Sequence, residues 1–305
     1  MKKLLIASIT FIIILLLPII IFWQNDLPLN HLKEKYAPVP SQFIDVNGLQ
    51  AHYRIEGAGE PLLLIHGTAS SLHTWDGWVE RLKNDFKIIR VDLPAFGLTG
   101  PNADNCYTYQ CYNDFIHDFT TAIGLDSFYM AGNSLGGSAT WNYAFKYPNQ
   151  VKKMILIDAS GYPLDVIPAS FERVSSFPIN ILSKYVAPKF LYKQGLTEVY
   201  YDDSKISPEL VDRHYYLSLR AGNREALQYR LKENFWSHPE DIAKINTPTL
   251  ILWGRHDDWL PIKLAEQFNN DLVNSRLEIV DAGHVPMEEL PDETAQLALD
   301  FLQTN

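Results

Sequence analysis

Along the chain, short apolar or alternating runs recur between clusters of turn residues: Phe43–Val46, Ala51–Ile55, Leu62–Ile65, Lys87–Asp92, Phe128–Gly132, Met154–Asp158, Leu250–Trp253 and Leu277–Val280. Runs this short, rich in Ile, Leu and Val, read as strands, and the continuously apolar ones as strands buried on both faces. After the first pair they alternate with helix-periodic stretches. That rhythm predicts an α/β fold, a mostly parallel eight-stranded sheet with helices on both faces. Residues 161–236 break it. They hold no buried-strand run, but carry apolar-periodic pieces around Phe177–Leu191 and Glu209–Leu219. The expectation is an α/β domain of residues 41–160 and 237–305, with 161–236 inserted as a helical cap. Tyr162, Phe171, Phe177, Tyr185, Phe190 and Tyr192 give the cap an aromatic and aliphatic content that either packs it or meets an apolar acyl or aryl group.

The N-terminus has a different pattern. Lys2 and Lys3 precede Leu4 to Trp23, an apolar stretch interrupted only by Ser8, Thr10 and Pro18. At about 1.5 Å per helical residue, that length matches a hydrocarbon core of about 30 Å. No small-residue cleavage site follows Trp23, and there is no cysteine for lipid attachment. Residues 1–23 therefore read as one N-terminal transmembrane helix, an uncleaved signal-anchor, with a cleaved signal as the alternative. Residues 24–40, polar and proline-punctuated, read as a linker. The two lysines would stay cytoplasmic and send the α/β domain to the extracytoplasmic side, periplasmic or cell-surface; a cleaved signal would make it secreted.

The formal net charge of −10 argues against a nucleic-acid partner. Cys106 and Cys111 could pair in an oxidising compartment or remain two thiols, and the spacing leaves both open. No zinc-type spacing or phosphate-cradling glycine loop occurs, so neither metal nor cofactor is implied.

The candidate chemistry starts at Gly132-Asn133-Ser134-Leu135-Gly136-Gly137, between a predicted strand and a predicted helix. Glycines two residues either side allow the sharp turn that lifts a serine oxygen clear of the backbone. Asp257 and His284 each follow a later predicted strand, in the order Ser…Asp…His. Strand C-termini of a parallel sheet share one edge, so all three can converge there. A histidine can take the serine proton and return it to a leaving group, and a carboxylate fixes the imidazole tautomer.

These motifs resemble the α/β-hydrolase family. The match runs through His66-Gly67, the serine turn, the Gly254–Pro261 segment, and Gly283-His284 with Pro286 and Glu289, over roughly residues 42–303. The resemblance implies a nucleophile at Ser134, a base at His284, and an oxyanion hole from the backbone N–H groups of Thr68 and Leu135. For the acid, Asp257 stands against two alternatives: Asp258 beside it, and Asp158 after an earlier strand, where some relatives place it. His66 reads as a hydrogen-bonder in the oxyanion turn, His256 as solvated, and Asp92 as a turn-stabilising aspartate. Ala95 departs from a position where the family often has glycine.

The reaction implied is hydrolysis of a small-molecule carboxylic ester through an acyl-serine. Hydrolytic C–C cleavage of ring-fission products is the alternative within the fold, and a non-catalytic binding protein is the alternative outside enzymes. Haloalkane dehalogenases and epoxide hydrolases place aspartate where this chain has Ser134.

Overall fold

A computed structural model describes residue 3 and residues 16–164, 167–234 and 238–304. All eight expected strands are present: β1 Gln42–Val46, β2 Leu49–Glu56, β3 Glu60–Ile65, β4 Phe86–Val91, β5 Phe128–Asn133, β6 Val151–Ile157, β7 Thr249–Gly254 and β8 Ser275–Val280. They form one sheet in the order β1-β2-β4-β3-β5-β6-β7-β8. The pairs β1/β2 and β2/β4 are antiparallel, and every later pair is parallel.

The apolar runs explain why the sheet is covered twice. In β3, Leu62 and Leu64 point to one core and Leu63 and Ile65 to the other; β6 and β7 divide in the same way. Successive side chains of a strand face opposite sides, so a strand apolar at every position needs helices on both. One face is closed by helices Asp76–Leu82 and Pro291–Gln303. The other is closed by Tyr109–Ala122, Leu135–Lys146 and Lys263–Asp271. A disulfide joins Cys106 to Cys111, in the first turn of the helix Tyr109–Ala122.

The cap region carries helices Ala169–Ser175, Ile179–Leu182, Lys189–Thr197, Pro208–Ser218 and Asn223–Arg230. Part of it has a small core of its own, formed by Leu196, Tyr200, Ile206, Leu210 and Val211.

The N-terminal expectation fares differently. Most of the proposed transmembrane helix falls on residues 1–2 and 4–15, outside the described residues. Among the described residues, no helix is long and apolar enough to cross a membrane. Residues 16–21 are helical, and the chain then turns along the cap. The Phe22 carbonyl accepts from the Ala187 N–H (3.0 Å), and the Gln24 N–H donates to the Tyr185 carbonyl (2.7 Å). Trp23 stacks on Tyr185 with ring centroids 5.1 Å apart. Leu27 continues the strap, bonding Leu219 (2.6 Å) and Ala221 (3.0 Å) through its backbone.

Nor is the segment 24–40 a free linker, for it contains the helix Leu29–Tyr36. Leu29, Leu32 and Tyr36 fall on one helical face. Leu32 is 2% exposed, packed with Tyr36, Leu98 and Leu217. Lysines and glutamate between those positions hide the apolar stripe in a polar average. Truncating a leucine this buried costs about 2–5 kcal/mol. Leu32→Ala should therefore lower the denaturation midpoint clearly, whereas a true linker would leave it unchanged.

Candidate active site

Ser134 follows β5 and precedes the helix Leu135–Lys146 with φ +56° and ψ −115°, a conformation unfavourable for a side-chain-bearing residue. Its neighbours make the turn possible. A Cβ on Gly132 would lie 2.1 Å from the Gly136 carbonyl oxygen, and one on Gly136 would lie 2.1 Å from the Ile65 carbonyl oxygen. Neither contact is tolerable, so both positions need glycine. The turn is tied down by the Ser134 N–H to the Ile157 carbonyl (3.0 Å) and the Ser160 N–H to the Ser134 carbonyl (3.2 Å).

Asp257 and His284 follow β7 and β8 and meet directly: His284 Nδ1 lies 2.7 Å from Asp257 Oδ2. The other carboxylate oxygen accepts from the backbone N–H groups of Trp259 (2.8 Å) and Leu260 (2.9 Å). Asp257 acts as an acceptor toward all three groups, which gives the proton to Nδ1 and leaves the Nε2 lone pair free. His284 Nε2 is buried without a hydrogen-bond partner among the described residues, and His284 lines the same cavity as Ser134. A base held in this tautomer can receive a hydroxyl proton.

Thr68, Ser134, Leu135 and His284 share a small pocket beside the serine. Leu135 is the first residue of its helix, so its N–H has no intrahelical acceptor and points from the positive end of the helix dipole. The Thr68 turn is braced by His66, whose Nδ1 donates to the Gly67 carbonyl (2.7 Å) and whose Nε2 accepts from the Leu93 N–H (2.9 Å). Burial lowers the His66 pKa, in keeping with a neutral bracing role.

Asp158 does not occupy the acid's place. It is buried with φ +42°, and its Oδ1 accepts from the Gly254 N–H at 2.9 Å. Burial, and then the neighbouring Asp257 charge, push its carboxyl well above the usual carboxylate range. Asp158, Asp257 and His284 bring one ligating atom each within 4.8 Å of one another. With Asp257 already accepting from three donors and burial raising the Asp158 pKa, the cluster suits hydrogen bonding better than a cation.

Asp92 gathers the Leu72 N–H, the Leu98 N–H and His52 Nδ1, each at 2.7 Å. Burial would raise its pKa, but the His52 charge and hydrogen bond outweigh that and hold it low. Ala95 adopts φ +81° in the turn Asp92 supports, the region glycine favours. His256 is not merely solvated: it stacks on Tyr201 at 3.6 Å and bonds Asp281 at 2.7 Å.

Several residues at the site carried no assigned role in the sequence. Asn133, the variable residue before the serine, donates to the His284 carbonyl at 2.9 Å and so links the serine turn to the histidine loop. Glu289 accepts the N–H groups of Gly283 (2.6 Å), Tyr201 (3.0 Å) and Asp202 (3.0 Å), joining that loop to the cap. Arg213 pairs with Glu288 at 2.6 Å. His214 Nδ1 donates to the Ala69 carbonyl (3.2 Å), while burial, and then the Arg213 charge, push its pKa down to about 4. Cap residues carry no local signal of what they meet across the cleft.

These groups border a cavity of about 530 Å³ between sheet edge and cap, lined mostly by apolar side chains and reaching Pro18 and Ile19 of the N-terminal segment.

A sequence model described as the alpha/beta hydrolase fold matches residues 60–291. The chain belongs to the alpha/beta hydrolase fold family. Among relatives, Lipase 3 of Moraxella sp. is 30% identical over 241 residues, covering 78% of this chain and 75% of that protein. The 2-hydroxy-6-oxo-2,4-heptadienoate hydrolase of Pseudomonas putida is 26% identical, covering 84% and 93%. The crystal structure of a membrane phospholipase A, titled a novel bacterial virulence factor, superposes with a TM-score of 0.74 at 25% identity over 99% of this chain and 98% of that one.

Ser134→Ala should retain the fold and lose nearly all turnover, read by circular dichroism beside hydrolysis rates; an active variant would remove Ser134 from the proposed role. Asp257→Asn should cut kcat by orders of magnitude through the wrong tautomer, and Asp158→Asn should be mild; a dead Asp158→Asn enzyme would reverse that assignment.

Asp158 also gives a pH signature. Above about pH 3.9 the unfolded chain loses this proton while the folded chain keeps it, so wild-type stability falls with rising pH until the raised folded pKa is passed. The Tm advantage of Asp158→Asn over wild type should grow as pH rises above about 4. A constant difference would mean Asp158 is ionised in the fold.

Proposed function

We propose that this protein is a membrane-attached serine hydrolase that cleaves carboxylic esters carrying an apolar acyl chain. The observation that carries the reading is the largely apolar cavity ending at Ser134 and His284. In the reaction, Ser134 Oγ attacks the carbonyl carbon as its proton passes to His284 Nε2. The Thr68 and Leu135 N–H groups receive the oxyanion, a class of contact whose loss typically raises the barrier by about 2.7–4 kcal/mol. Collapse expels the alcohol, protonated by His284. Water then repeats the sequence on the acyl-serine and releases the acid.

Membrane attachment is supported by the apolar N-terminal run and by where its end lies. Ile20 and Ile21 are exposed on the strap; Phe177 (81% exposed), Ile181 and Phe190 are exposed on the cap. Phe22 meets Phe190 edge-on at 5.8 Å, joining the two groups. An apolar surface of this kind, next to a cavity that Pro18 and Ile19 help to line, suits a bilayer. The inferred orientation keeps Lys2 and Lys3 inside and the hydrolase domain outside. The phospholipase and lipase likenesses agree with a lipid ester.

C–C hydrolysis has the Pseudomonas putida relative in its favour. A dienoate substrate brings a carboxylate close to the bond that is cleaved, whereas the cavity wall leading away from Ser134 and His284 is mostly apolar. That favours the ester.

Each methylene buried contributes about 0.8 kcal/mol, roughly fourfold in kcat/KM if fully realised. Across p-nitrophenyl esters, kcat/KM should rise from acetate to octanoate by at least tenfold. A flat profile would remove the apolar-acyl reading, and faster turnover of a vinylogous 1,5-diketone would favour C–C cleavage. The native protein should stay in carbonate-washed membranes with an intact mass starting at Met1. A species starting near Gln24 would mean a cleaved signal.

A further inference from the structure

Arg224 lies in the cap helix Asn223–Arg230, is 6% exposed, and lines the same cavity as Ser134 and His284. Its Nη2 donates to the Gln24 carbonyl (2.7 Å) and to Asp26 Oδ1 (2.6 Å), both on the N-terminal strap. Its Nε and Nη1 are buried and have no hydrogen-bond partner among the described residues. A guanidinium carries five N–H donors and keeps its charge in proteins. The strap satisfies the Nη2 side, and three donors remain. Leaving the donors of a permanent cation buried and unmatched is unfavourable, so such groups mark a place where something else accepts.

Among the described residues, no acceptor of that wall makes a hydrogen bond to Nε or Nη1. Gln228 uses its amide N–H groups on the Val174 carbonyl (3.3 Å) and Ser183 Oγ (3.1 Å). Arg213, the other arginine of the cavity lining, is closed by Glu288 and donates again to the His73 carbonyl. Asp26 balances the Arg224 charge without touching Nε or Nη1, and its own side chain is 41% exposed to water.

We propose that Arg224 is the receptor for an oxyanion, a carboxylate or a phosphate, on the molecule that occupies the cavity, at a point apart from the scissile ester. The chemistry is charge-assisted hydrogen bonding to a planar cation, which suits both groups. The ester reading above supplies the two sources: the carboxylate of a released fatty acid, or the phosphate of a lipid headgroup. In either case the strap acts on the substrate site, because it holds the guanidinium in place.

The test measures binding without turnover. The full-length Ser134→Ala chain in a neutral detergent at pH 8 is titrated calorimetrically with octanoate, octyl phosphate and octanol. At least one anion should bind roughly tenfold or more tighter than octanol, the scale of a charged hydrogen bond, and the tighter anion identifies the source. Adding Arg224→Gln should bring the ratio within about twofold. Arg224→Lys, which can still pair with Asp26, should reduce it at least threefold. Asp26→Asn should keep or widen it. Equal binding of all three ligands, a preference that survives Arg224→Gln, or an Asp26→Asn variant that loses it as Arg224→Gln does, would each overturn the proposal. No ester is cleaved in this measurement. An anion preference in a protein whose wild type hydrolyses no ester would therefore sink the ester reading and leave the receptor standing.

Discussion

The structure depends most on a close backbone approach at the C-terminal edge of the sheet. The turn after β5 runs so near its neighbours that a single Cβ at Gly132 or Gly136 would collide with a carbonyl oxygen. That constraint fixes the positive φ of Ser134 and sets the first N–H of the following helix beside its oxygen. Because β3, β5, β6, β7 and β8 run parallel, their C-terminal ends bring the Thr68 turn, Ser134, Asp158, Asp257 and His284 to one edge. The strained serine persists because hydrogen bonds with Ile157 and Ser160, at and just past the end of β6, hold it.

A layer of polar ties gives the site its rigidity. Asn133 reaches the histidine loop, Glu289 joins that loop to the cap, and His66 braces the oxyanion turn between Gly67 and Leu93. The cap is therefore fastened to the same residues that orient His284. The N-terminal strap is fastened to the cap in turn, so the segment entering from the apolar run touches the cavity wall. In the proposed function this couples attachment at a bilayer to the shape of the substrate site.

The strands were legible because they rest on local pattern: uninterrupted apolar runs where both faces are covered, alternation at the edge. The serine turn and its partners were legible because glycine spacing and strand-end position are both written in the chain. Three things were not. The helix Leu29–Tyr36 keeps only Leu29, Leu32 and Tyr36 for its packed face, and the polar residues between them mask it. The ties from Asn133 and Glu289 are contacts between distant segments and leave no periodic trace. The choice between Asp257 and Asp158 turned on which carboxyl receives backbone donors and the imidazole, a matter of geometry that strand position alone could not decide.

The claim on which the account rests is that Ser134 is the nucleophile of an acyl-transfer site, activated through His284. Treating the full-length protein with a fluorophosphonate and mapping the adduct by peptide mass spectrometry tests it most directly. The account predicts one adduct, on Ser134, formed quickly in the native chain and slowed strongly by His284→Ala. Labelling at another residue, or at a rate indifferent to His284, would contradict it.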